Sequence, residues 1–148
     1  MRSLARLFAM LIAGLMTVAS VAPVARAQHL SFAASVNVPF AFETASGQHF
    51  QPGVYTIRVT GMDTMLIRGN DSSGLAMIQE QANEGFPASD GKAIFTRYGD
   101  KYFLRSVSLP GSSTRLIFGR SKKERETQIA AAGKSPSAIG LALLQAAR

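Results

Sequence analysis

From Val36 to Phe118 apolar residues recur at every second position in short runs, and each run ends at a turn signal, a pattern that confines this part of the chain to a sheet. Val36, Val38, Phe40 and Phe42 alternate with Asn37, Pro39, Ala41 and Glu43, as in a strand with one face on a core. Pro39 cannot donate to a ladder, so that strand lies at an edge or carries a bulge. Pro52-Gly53 marks a turn, and in "VYTIRVT" after it Tyr55, Ile57 and Val59 oppose Thr56, Arg58 and Thr60. "MLIRG" (65–69), "LAMIQEQ" (75–81), "KAIFTRY" (92–98), "KYFLRSVSL" (101–109) and "TRLIF" (114–118) follow, separated by "NDSSG", "FPASDG" and "PGSS". Strands at a spacing of roughly 8 to 12 residues predict a mainly β fold, a small antiparallel barrel or sandwich of about 7–8 strands.

The stretch "FTRYGDKYFL" (95–104) reads as a hairpin. Gly99-Asp100 is a two-residue connection of the Gly-x kind that type II′ turns favour, which pairs Tyr98 with Lys101, Arg97 with Tyr102 and Phe95 with Leu104. Phe95 and Leu104 then enter the core, while Arg97 and Tyr102 lie side by side nearer the turn, where a guanidinium can rest on a ring. The opposite face carries Ile94, Phe103 and Val107 with Thr96 and Arg105, so both faces are partly apolar, as in a central strand pair.

Composition changes after residue 120. Ser121-Lys122-Lys123-Glu124 has the spacing of a capping box, and "KKERETQIAAA" meets no breaker before Gly133, which predicts a helix over about 122–132. Arg120, Lys122, Lys123 and Arg125, interrupted by Glu124 and Glu126, read as its solvated face. Ser135-Pro136 has the form of an N-cap followed by proline at the first helical position, which opens "SAIGLALLQAAR" as a second helix with Ile139, Leu143 and Ala146 on one face. One or two C-terminal helices are therefore expected, either packed on the β domain or reaching a membrane or partner.

The first 27 residues have the form of a signal peptide: Arg2 and Arg6, an apolar run from Leu7 to Ala19, and Ala25-Arg26-Ala27 as the cleavage site. The expected organisation is a signal peptide over 1–27, an antiparallel β domain over 28–120 and a helical tail over 121–148, exported to the periplasm or secreted, with no integral membrane span after cleavage. Removing 27 of the 148 residues leaves 121, a usual single-domain length. With Arg2, Arg6 and Arg26 gone, thirteen Lys and Arg face nine Asp and Glu, a net charge of +4 rather than +7. That mild excess does not call for a nucleic-acid partner. The chain has no cysteine, so burial alone must hold the exported domain together.

Chemistry is easier to exclude than to assign. The two histidines, His29 and His49, show no H-x-H or H-E-x-x-H spacing, so no metal is expected. No G-x-S-x-G elbow accompanies the serines of "DSSG" and "GSS", and no phosphate-cradling glycine motif is present, so no cofactor is expected either. Glu124 and Glu126, two apart on a helix, face different ways.

"NVPFAF" (37–42), "PGVYTI" (52–57), "FTRYGDKYFL" (95–104), "PGSS" (110–113) and "SKKERE" (121–126), in this order after a signal peptide, resemble an uncharacterised family of small exported bacterial proteins. R-Y-G-D-x-Y-F-L is the most specific element. The match spans most of residues 36–126 and leaves the alanine-rich end beyond 127 outside it. The resemblance implies a secreted domain and no catalytic residues.

Two functions follow from these readings. The first is a non-enzymatic module, binding or structural in the cell envelope, whose partner is an envelope component, a glycan or a small apolar ligand. The alternative is a small hydrolase-like enzyme whose polar groups converge only in three dimensions. If the sheet binds a ligand, Arg97, Tyr98, Lys101 and Tyr102 are the candidates: they cluster at the turn end, where side chains escape the core, and a planar fork of donors beside an amphipathic ring suits a carboxylate, a phosphate or a sugar.

Overall fold

A computed structural model describes residues 33–87, 89–131 and 135–145. The expected signal peptide lies outside the described residues. The elements in chain order are β1 (Ala33–Val38), β2 (Phe42–Glu43), β3 (His49–Phe50), β4 (Gly53–Val59), β5 (Thr64–Arg68), β6 (Ser73–Asn83), β7 (Gly91–Tyr98), β8 (Lys101–Ser108), β9 (Thr114–Phe118), a helix α1 (Lys122–Ala130) and β10 (Ser137–Gln145). Among the described residues no helix is long and apolar enough to cross a membrane.

Eight of the strands close on themselves in the order β1-β4-β5-β6-β9-β8-β7-β10, every neighbouring pair antiparallel, and the β8–β9 and β10–β1 pairings complete the ring. Of the two expected architectures, the structure is the barrel. Closure removes the exposed sheet edges that a chain without disulfides would otherwise have to protect.

The β7–β8 hairpin has the expected register: Tyr98 faces Lys101, Arg97 faces Tyr102 and Phe95 faces Leu104, around Gly99 at φ +65°. A bulge then shifts the ladder between Ile94 and Phe95, so Arg105 has no opposite number and Ser106 pairs with Ile94. The shift corrects one expectation. Val107, placed by simple alternation opposite Leu104, joins Leu104 in the core, because the extra residue turns the remainder of β8 over by one face.

The larger correction concerns the C-terminus. Residues 137–145 form a strand, β10, and the second helix is not formed. β10 pairs with β7 from Ser137↔Arg97 to Leu143↔Gly91, and with β1 at Ala34↔Gln145 and Ser35↔Leu144. Ile139, Leu141 and Leu143 alternate as well as they stack helically, and a short apolar run of this kind is ambiguous by periodicity alone. The open edges of β1 and β7 decide the matter, since only an extended segment satisfies their backbone groups.

The interior is filled from the strands and from the β2–β3 hairpin. Pro39 ends β1, which is paired on both sides, instead of lying within one strand at an edge or a bulge as expected, and the chain re-enters so that Phe42 and Phe50 stack at 5.0 Å. Phe42 also meets Phe95 of β7 at 5.3 Å and Tyr55 of β4 at 5.4 Å, although β10 and β1 separate those two strands around the barrel. One aromatic hairpin thus bridges the bore. Met65, Ile67, Ile78, Leu116 and Phe118 pack into the same core.

Candidate functional site

Helix α1 lies against the outside of the barrel. Ser121 caps it, its Oγ accepting from the Glu124 backbone N–H at 3.0 Å, as the S-x-x-E spacing predicts. Its one buried residue is Glu124, so charge rather than an apolar stripe fixes it to the wall. Glu124 Oε2 lies 3.8 Å from Arg105 Nη1 on β8, and Lys123 Nζ donates to Glu43 Oε1 on β2. His49 Nδ1 stands 3.7 Å from the same Glu43 oxygen.

Burial pushes the Glu124 carboxyl above the ordinary carboxylate range, against the opposing pull of Arg105, Arg120 and the Ser121 backbone. The cations do not win because Arg105 stops beyond hydrogen-bonding distance, and Oε1 finds no hydrogen-bond partner among the described residues.

All four basic residues of the run are exposed, as expected, but they do not share one face. Lys122 points into solvent and pairs only loosely with Glu126 at 3.8 Å, but Arg120 and Arg125 turn toward the barrel. With Arg105, Gln79, Ser46 and Met77 they line an open cleft of about 740 Å³. β6 supplies Met77 and Gln79, β8 supplies Arg105, and the turn between β2 and β3 supplies Ala45 and Ser46. Arg120 also donates from Nη1 to Gln128 Oε1 at 3.1 Å. The cleft can hold a negatively charged group among Arg105, Arg120 and Arg125; the buried Glu124 beside Arg105 is not part of its lining.

The four residues expected at the hairpin end do not form one site. Arg97 and Tyr102 stay together on the inner face at the rim, the guanidinium carbon 5.5 Å from the ring centroid, and Arg97 Nε donates to the Gly99 carbonyl. The ring's other partner is Phe40, stacked at 3.9 Å and itself edge-on to Phe95. Tyr98 and Lys101 belong to the outer face. Tyr98 does not escape to solvent: it is 5 % exposed, lies edge-on to Phe103 at 6.0 Å, and faces Thr127, Ala130 and Ala131 of the helix end across a shallow depression that Lys101 also lines.

The cationic cleft is legible in the sequence only in part. Arg120 and Arg125 lie in the run already described, yet Arg105 is fifteen residues upstream of Arg120, and nothing local brings the three together. A capped helix without an apolar face is the one local signal that its polar residues must seat it. No family model matches the chain, and no curated protein or solved structure is detectably similar to it. Fold and site define the class: a closed eight-stranded antiparallel barrel with a charged helix and an arginine-lined cleft on its outer wall.

Proposed function

We propose that the protein is an exported, non-enzymatic barrel that binds a component of the cell envelope on its outer wall. The observation that carries this reading is the filled bore. Eight-stranded barrels either pack their interior with side chains or keep a chamber for one small ligand. Here Phe42, Phe50, Phe95, Phe118, Met65 and Ile67 occupy that space, each nearly inaccessible to solvent. Recognition then falls to the exterior, where the arginine-lined cleft is open.

Purified protein incubated with isolated envelope fractions of its native host tests the reading. The expected result is retention at low salt that weakens as ionic strength rises, because exposed charges are screened within about 10 Å at 0.1 M salt. Absence of retention at every salt concentration overturns it.

A further inference from the structure

We infer that the cleft between α1 and the β6–β9–β8 wall binds a phosphate-bearing amphiphile, with Arg105, Arg120 and Arg125 around the phosphoryl group and its chain along Met77 and Leu75. The inference rests on the exterior-binding reading and gives it a ligand class. Three arginines from separate parts of the chain line one concavity: Arg105 from a barrel strand, Arg120 from the link that precedes the helix cap, and Arg125 from the helix itself, with one Nη of Arg105 turned to Glu124 and one of Arg120 to Gln128. Planar forks of this kind hold phosphoryl oxygens in pairs, which a lysine ammonium does less specifically. Glu124, which is buried outside the lining and stands 3.8 Å from Arg105, opposes that one arginine and leaves the other two without a facing carboxylate in the cleft. Ser46 and Gln79 add neutral hydrogen-bonding groups to the lining.

Gly119 keeps the cleft open. A Cβ there would stand 3.0 Å from Gln79 Oε1, so the bare backbone leaves room that a side chain would fill. The apolar half of the site is on β6. Met77 lines the cleft and is 59 % exposed, and Leu75, two residues earlier and hence on the same outer face, is 53 % exposed. Ala76 and Ile78 between and beyond them point into the core. A water-soluble anion would leave the Met77–Leu75 stripe uncovered, whereas an acyl or alkyl chain attached to the phosphate would lie along it, and methionine adapts to such chains through its flexible thioether.

Calorimetric titration of the purified protein tests this with monododecyl phosphate below its micellar concentration, inorganic phosphate and the neutral dodecyl maltoside. Monododecyl phosphate is expected to bind most tightly of the three. Arg125→Ala should weaken it by about tenfold, the loss expected for one charge-assisted contact. Lys92→Ala, a charge removed from exposed β7 away from the cleft, should leave it unchanged. Met77→Gln should reduce monododecyl phosphate to the affinity of inorganic phosphate without altering the latter, and Gly119→Leu should weaken both without changing charge. Circular dichroism confirms that each variant retains the barrel. The inference is overturned if monododecyl phosphate binds no better than inorganic phosphate or dodecyl maltoside, or if Lys92→Ala costs as much as Arg125→Ala. Failure of monododecyl phosphate with envelope retention intact removes the cleft ligand and leaves exterior binding standing; binding without any envelope retention supports the cleft and removes the envelope reading.

Discussion

Glu124 on the helix and Arg105 on the barrel wall face each other at 3.8 Å, the glutamate 1 % exposed, where the one buried residue of α1 meets the sheet. Removing one partner of a buried pair leaves an uncompensated charge, so the two residues are expected to respond differently to neutralisation.

The pH response follows from the direction of the Glu124 shift. Its folded-state pKa is raised by burial, so the native state holds this proton more tightly than the unfolded chain does. Stability from this group is full below the ordinary glutamate range and falls as pH rises from there through the raised value. Glu124→Gln, which stays neutral, should gain on wild type across that window when melting temperatures are compared pH by pH. A variant that loses ground as pH rises would mean that Arg105 and Arg120 outweigh desolvation. Arg105→Ala should be destabilising at neutral pH, where it strands the carboxylate.

Leu104 faces Phe95 in the core, with each side chain essentially inaccessible. Leu104→Ala should cost about 2 to 5 kcal/mol in chemical denaturation, because lost transfer energy and the remaining cavity add. Leu144→Ala, at a position 71 % exposed, should stay within about 0.5 kcal/mol of wild type. Equal midpoints for the two would place Leu104 outside the core.

Deleting residues 137–148 removes β10 and opens β1 and β7 together. Such edges pair with other chains, so the truncated protein should lose cooperative unfolding and aggregate in size-exclusion chromatography. A truncated monomer that melts like the full chain would show that β10 is dispensable to the barrel.

At the rim, Tyr102 lies between Arg97 and Phe40. Tyr102→Ala should destabilise by about 1.5 kcal/mol or more, from stacking beyond simple burial. Arg97→Ala should cost under about 1 kcal/mol, as an exposed cation over a ring does. A double-mutant cycle with coupling near zero would show that the guanidinium does not use the ring. Envelope retention, measured on the same variants, should be unchanged if the outer cleft is the binding surface.

The local chemistry of the chain was sufficient for the strands β4 to β9, the capped helix and the 95–104 hairpin. Each depends on neighbours within a few residues: alternation sets the inward face, Gly99 accepts a positive φ, and Ser121 reaches the Glu124 amide. The same information was insufficient where distant partners choose. The period of "SAIGLALLQ" suits a helix or a strand, and only the unpaired edges of β1 and β7, whose paired residues lie forty or more positions earlier in the chain, make it a strand. Val107 changed faces because one bulged residue at Arg105 alters alternation beyond it, and a bulge has no reliable composition. Tyr98 is buried because α1 folds back over the hairpin, which nothing in "RYGD" encodes. The cleft is the plainest case. Its arginines come from β8, the link before α1 and α1 itself, and a barrel must close and dock its helix before their charges share one concavity; sequence sets which charges exist, and tertiary packing sets which of them meet.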